Sequence, residues 1–206
     1  MDYEIVIPVL ISFAISAILG PIVIPFLKRL KVGQTERKEL ESHLKKNGTP
    51  TMGGILILSA MIVTSLFYMK DYPEINPILL LTLGFGLIGF LDDYIKVVKK
   101  RNLGLKAGQK TLGQLLVAVL YLAAEYIFAP HTTLWIPFAG EFDIGFFYYP
   151  VMLFIIIGAV NAVNLTDGID GLASSVTMVA AMGFLVISSI EGFVQMNLLA
   201  AALAGV

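Results

Sequence analysis

Two adjacent carboxylates, Asp92 and Asp93, follow Gly89-Phe90-Leu91 at the end of an apolar run. Neighbouring carboxylates repel one another, which raises the affinity of each for a proton unless a cation is present. A hard divalent cation such as Mg²⁺ takes oxygen ligands, often one or two carboxylates completed by substrate phosphates. The plainer alternative is a solvated helix end balanced by Lys96, Lys99 and Lys100. A second group, Asn161-Ala-Val-Asn164-Leu-Thr-Asp167-Gly-Ile-Asp170-Gly171, repeats a polar side chain every three residues, so a helical turn sets all four near one face. Its plainer alternative is a helix-breaking turn capped by its own Asn and Asp side chains. A third group, Lys45-Lys46-Asn47-Gly48-Thr49-Pro50-Thr51-Met52-Gly53-Gly54, combines lysines, hydroxyls and glycines ahead of another apolar run. Such a segment offers phosphate a basic, amide-rich surface, although its spacing is not that of a Walker A loop and it also suits a basic membrane anchor. Taken together the three groups describe a site for a phosphorylated, metal-bound substrate meeting a lipid partner.

The elements that must hold these groups are membrane helices. Of 206 residues 57% are hydrophobic and 14% charged, against roughly 25% charged in soluble domains, and the mean hydropathy is +0.85. A spanning helix needs about 20 apolar residues. Uncharged runs cover Ile5 to Leu27, Met52 to Met69, Ile75 to Leu91, Thr111 to Ala124 with an extension through Ala129, Ile144 to Thr166, and Gly171 to Ile190; a further run, Gly192 to Val206, is still apolar at the last residue. The expected fold is an all-α polytopic membrane protein of six complete transmembrane helices plus an interrupted seventh, forming one membrane domain over residues 1–206.

Charge fixes the expected orientation. With the N-terminus outside, 13 of the 14 cations fall on the cytoplasmic side and only Lys70 lies outside, as the positive-inside rule requires. All three polar groups then share the cytoplasmic face. Transporters place their ionisable residues nearer the midplane, which argues against ion translocation. The net charge of −1 gives no basic excess for nucleic acid, and the absence of cysteine removes thiolate chemistry. The outer stretch from His131 to Asp143 alternates strand-forming residues around Ala139-Gly140-Glu141 and predicts a short external β-hairpin. Trp135, Phe146, Phe147, Tyr148 and Tyr149 predict an aromatic belt beside it.

Three blocks, His43 to Gly54, Gly89 to Leu105 and Asn161 to Leu172, closely resemble those of the polyprenyl-phosphate N-acetylhexosamine-1-phosphate transferase superfamily, and within it the phospho-N-acetylmuramoyl-pentapeptide transferase branch. The Asp-Asp and Asn-x-x-Asn-x-x-Asp-Gly-x-Asp-Gly elements mark the superfamily; the Lys-Lys-x-Gly-Thr-Pro-Thr-Met-Gly-Gly run is more specific to the branch. The resemblance implies a bacterial inner (plasma) membrane enzyme of ten spans, a homodimer using Mg²⁺. Such an enzyme transfers phospho-N-acetylmuramoyl-pentapeptide from UDP-MurNAc-pentapeptide to undecaprenyl phosphate, giving lipid I and UMP for peptidoglycan synthesis. By motif match, Asp92 and Asp93 are the catalytic acidic pair and candidate metal ligands. Lys46 and Thr51 contact the phosphate or nucleotide side, and Asn161, Asn164, Asp167 and Asp170 line the nucleotide-sugar cleft.

The resemblance also carries a departure. Its members continue through further spans with an additional metal-binding Asp and a His-rich cytoplasmic loop, whereas the histidines here are His43 and His131. The expectation is an N-terminal portion that is inactive alone. The alternatives are a transferase using UDP-N-acetylglucosamine, a non-catalytic membrane binding or regulatory protein on the same fold, and a transporter.

Overall fold

The computed structural model describes residues 3–29, 52–99, 103–136, 138–168 and 171–206. Those residues form two compact units, one comprising residues 1–106 and 174–206, the other residues 107–173.

The first unit contains α1 (Tyr3–Arg29), α2 (Gly54–Leu66), α3 (Ile75–Val98), α6 (Leu172–Glu191, which enters the unit at Ser174) and α7 (Val194–Gly205). α1 holds Pro8, Pro21 and Pro25 within its length, a composition that membrane helices tolerate better than soluble ones. The centre of the unit is α7, which buries Asn197 to Ala202 and Gly205. Gly205 lies against Ser12 and the Val9 carbonyl of α1, so closely that a Cβ there would collide with both. Small residues at such crossings let helix backbones approach where lipid provides no hydrophobic drive. Ile75 and Leu79 of α3 pack with Leu198 and Leu199 of α7, flanked by Tyr68, Met69 and Tyr72 from the α2–α3 turn. Gly86 of α3 receives the Leu58 side chain of α2. The α6–α7 corner turns at Gly192, with φ of +75°. There the buried Asn197 oxygen accepts from Ser188 Oγ at 2.6 Å and from Ser189 Oγ at 3.2 Å.

The second unit contains α4 (Ala107–Phe128), the strands β1 (Thr133–Ile136) and β2 (Gly140–Asp143), a 3-10 turn (Gly145–Phe147) and α5 (Tyr148–Thr166). The strands pair antiparallel, Thr133 with Asp143 and Trp135 with Glu141. Asp143 accepts the Gly145 amide at 2.9 Å. That backbone hydrogen bond, then one with the Thr132 hydroxyl, holds its carboxyl below the usual aspartate range. Tyr149 is not part of an outward belt: it is buried, edge-on to Tyr126 at 5.3 Å and to Tyr148 at 5.5 Å.

Among the described residues five helices are long and apolar enough to cross a membrane: α1, α3, α4, α5 with its preceding 3-10 turn, and α6. The protein is an all-α multi-pass membrane protein. Two segments differ from the apolar runs that predict them. The run Met52 to Met69 yields a helix only from Gly54 to Leu66, because residues 67–74 tighten into turns, with both Tyr68 and Met69 donating to the Ser65 carbonyl. The run ending at Leu91 continues as helix through Val98, so Asp92 and Asp93 lie inside α3 rather than after it.

Candidate functional site

Within α3, three charges are arranged around one ammonium. Lys96 Nζ lies 2.7 Å from Asp92 Oδ2 and 2.9 Å from Asp93 Oδ1. These are the i,i+4 and i,i+3 spacings that let side chains meet on a helix, and they explain why the helix continues past Leu91. The other Asp92 oxygen accepts the backbone N–H of Leu105 at 2.7 Å. This bond draws the segment leading to α4 back against α3. Gly104 is buried there, and a Cβ at that position would run into the Asp92 side chain and carbonyl. Glycine is therefore required for close approach, not for unusual dihedrals.

The arrangement bears on a divalent cation. Lys96 supplies a positive centre shared by two carboxylates, the place a hard cation takes when one or two carboxylates bind it and phosphates complete the shell. Oxygen donors of this kind suit Mg²⁺. Among the described residues no group of three His, Cys, Asp or Glu side chains gathers into a metal cage. Among the described residues the oxygens gathered at this point are those of Asp92 and Asp93, and Lys96 already balances them.

The second unit carries the asparagine group. Asn161 and Asn164 lie in the last turns of α5, and Asp167 follows directly, exposed. Across from them α4 presents Gln114 and Lys110, one turn apart. Gln114 is 1% exposed. Asn161 Nδ2 donates to Gln114 Oε1 at 3.0 Å and to the Ile157 carbonyl at 2.8 Å. Lys110 Nζ donates to Asn164 Oδ1 at 2.8 Å. Two rungs of hydrogen bonds thus join α4 to α5 at the end of α5 where the polar motif begins. Burying a polar group among apolar helices is costly unless it is paired, and the Gln114–Asn161 contact meets that condition.

Lys46, Thr51 and Asp170 lie outside the described residues. Of the remaining expected residues, Asp92 and Asp93 stand together in the first unit, and Asn161, Asn164 and Asp167 stand together in the second. Of the three lysines that sequence reading set against the carboxylates, Lys96 pairs with both; it missed Gly104 and Leu105 as the segment tethered to Asp92, and Lys110 and Gln114 as the partners of the asparagines. One signal was available: Gln114 is an amide within the apolar part of α4, four residues after a lysine.

Comparison with known proteins adds the family. The model of glycosyl transferase family 4 matches residues 75–206. The chain belongs to that family. Both groups of described polar residues lie within the matched family 4 region. A phospho-N-acetylmuramoyl-pentapeptide-transferase signature matches residues 46–58, the segment that holds Lys46 and Thr51. Among relatives bearing the name phospho-N-acetylmuramoyl-pentapeptide-transferase, that of Bacillus subtilis is 46% identical over 194 residues, covering 91% of this chain and 60% of the relative. That of Caldicellulosiruptor bescii is 45% identical over 209 residues, covering 100% of this chain and 64% of the relative. That of Bacillus thuringiensis is 50% identical over 184 residues, covering 86% of this chain and 57% of the relative. This family 4 chain therefore spans roughly 57–64% of the length of these relatives.

Proposed function

We propose that this chain belongs to an enzyme that transfers phospho-N-acetylmuramoyl-pentapeptide from UDP-MurNAc-pentapeptide to undecaprenyl phosphate, giving lipid I and UMP. The observation that carries the reading is the set of relatives bearing that activity in their name at 43–50% identity. The same names favour the muramoyl-pentapeptide sugar over UDP-N-acetylglucosamine and over a non-catalytic role. The enzyme lies in the bacterial inner membrane as a homodimer, with its N-terminus outside and its site facing the cytoplasm. The charge asymmetry of the sequence supports that orientation.

In the transfer, a lipid-phosphate oxygen bonds to the phosphorus carrying the sugar while the bond from that phosphorus to the bridging oxygen breaks, and UMP leaves. Such a reaction asks for in-line positioning and neutralised phosphate charge more than for a protein nucleophile. Asp92 and Asp93 would hold Mg²⁺, which would supply part of that neutralisation. Among the described residues Asp93 meets Lys96, whereas Asp92 meets both Lys96 and the Leu105 amide, and Asp93 serves to activate the lipid phosphate. Lys46 and Thr51 hold the phosphate or nucleotide side. Asn161, Asn164, Asp167 and Asp170 line the nucleotide-sugar cleft, with Lys110 adding a cation beside Asn164.

The test is transfer by membranes containing the protein expressed from its natural reading frame, supplied with undecaprenyl phosphate and either nucleotide sugar. UMP release with UDP-MurNAc-pentapeptide is expected. Release only with UDP-N-acetylglucosamine, or with neither sugar, overturns the assignment.

A further inference from the structure

The two rungs between α4 and α5 run in opposite senses. A lysine ammonium can only donate, so the Asn164 group facing Lys110 is its oxygen; a peptide carbonyl can only accept, so the Asn161 group facing Ile157 is its nitrogen. Gln114 completes the second assignment by taking the other Asn161 amide hydrogen on its Oε1. Both hydrogens of Asn161 Nδ2 are then used within the protein, and its Oδ1 is left as the group without a donor among the described residues. On the next turn the pattern is reversed: Asn164 Oδ1 is used, and its Nδ2 is left as a donor beside the Lys110 charge. Neither orientation follows from the asparagines themselves, which are chemically alike. That of Asn164 is set by Lys110 on α4, and that of Asn161 by the Ile157 carbonyl of its own helix together with Gln114 on α4.

We infer that Gln114 is a positioning residue that, together with the Ile157 carbonyl, holds the Asn161 nitrogen inward, so that Asn161 meets a ligand as an acceptor and Asn164 meets it as a donor. This rests on the nucleotide-sugar reading of the cleft. The matching ligand places a hydrogen-bond donor, such as an N–H or hydroxyl of the uridine nucleotide, at Asn161 and an acceptor, such as a phosphate oxygen, at Asn164. Without Gln114, the Asn161 carboxamide keeps only the Ile157 carbonyl to hold its nitrogen inward, and its orientation loosens. Gln114 itself is buried.

Gln114→Met preserves length and approximate volume while removing the acceptor. Two measurements on the full chain in detergent test the inference. In the ligand-free protein labelled at asparagine nitrogen, the Asn161 side-chain amide is expected to exchange slowly with solvent and to lose that protection in Gln114→Met. In titration calorimetry with UDP as the probe, Gln114→Met is expected to weaken binding about five- to tenfold, the scale of one hydrogen bond. The same substitution placed on Asn161→Ala should have no further effect, because a residue that acts through Asn161 has nothing left to position. An Asn161 amide unprotected in the wild type, or equal losses from Gln114→Met in the presence and absence of Asn161, overturns the inference while UDP binding itself stands. Failure of the wild-type protein to bind UDP overturns the functional reading and this role with it.

Discussion

Asp92 Oδ1 accepts the backbone N–H of Leu105 at 2.7 Å, joining a carboxylate inside α3 to the segment that leads into α4. Gly104 permits the contact by presenting no Cβ to the Asp92 side chain. Gly104→Ala is therefore expected to displace Leu105 and to destabilise the protein by about 1–3 kcal/mol, the usual cost of overpacking a closed site. Thermal denaturation in detergent reads this directly. A melting temperature equal to that of the wild type would mean that the segment yields without consequence.

Asp92→Asn and Asp93→Asn separate tethering from chemistry. In Asp92→Asn the carboxamide oxygen can still accept from Leu105, so the fold around Gly104 is expected to survive. Turnover in the active enzyme is expected to fall about a hundredfold or more for each, as for other losses of electrostatic stabilisation in transfer reactions. Expression and the detergent-solubilised oligomer should be unchanged. Near-normal turnover in both variants removes the pair from the mechanism.

Lys110→Ala removes the cation beside Asn164 and should weaken UDP binding by roughly tenfold or more, since hydrogen bonds to charged groups are worth about 1.5–3 kcal/mol. The loss should shrink as salt rises, because the interaction is partly screened. Lys46→Ala should weaken binding of the nucleotide sugar or of the lipid phosphate. Unchanged affinity for both would leave Lys46 as a membrane anchor only.

The β1–β2 hairpin should respond to acid. Asp143 is held below the usual aspartate range by the Gly145 amide first and the Thr132 hydroxyl second. A depressed carboxyl adds stability that is fully present above its unfolded value and is lost as pH falls through its folded value. Trp135, the sole tryptophan, sits on β1 and reports the hairpin by fluorescence. An emission change below about pH 4 is expected in the wild type. In Asp143→Asn the acid-dependent step should be absent. The same acid step in both proteins would assign it to another group.

Most of the membrane helices were legible because hydrocarbon imposes a length and a polarity that sequence cannot disguise. The run Ile5 to Leu27 becomes Tyr3–Arg29, and Gly171 to Ile190 becomes Leu172–Glu191. Charge misled at Leu91. An uncharged run ends where Asp92 begins, yet the helix does not, since Lys96 pairs both carboxylates along the same face. The site was legible as motifs but not as partnerships. Nothing local in Asn161 or Asn164 indicates Gln114 and Lys110, which come from another helix far away in sequence. Of these hydrogen bonds the trace in sequence is the Gln114 amide within the apolar part of α4, four residues after Lys110.

The packing of Gly205 against Ser12 and Val9 has a consequence for how the molecule is made. Of the described helices α1 leaves the ribosome first and α7 last, and the whole of α4, the hairpin and α5 is synthesised in between. Until α7 emerges, the face of α1 bearing Ser12 lacks its partner and must be kept by lipid or by the insertion machinery. Contacts this distant in sequence form late and close slowly. Of the two units the first is thus the earlier to begin and the later to finish, and damage to the α1–α7 crossing should appear first as failed biogenesis rather than as lost chemistry.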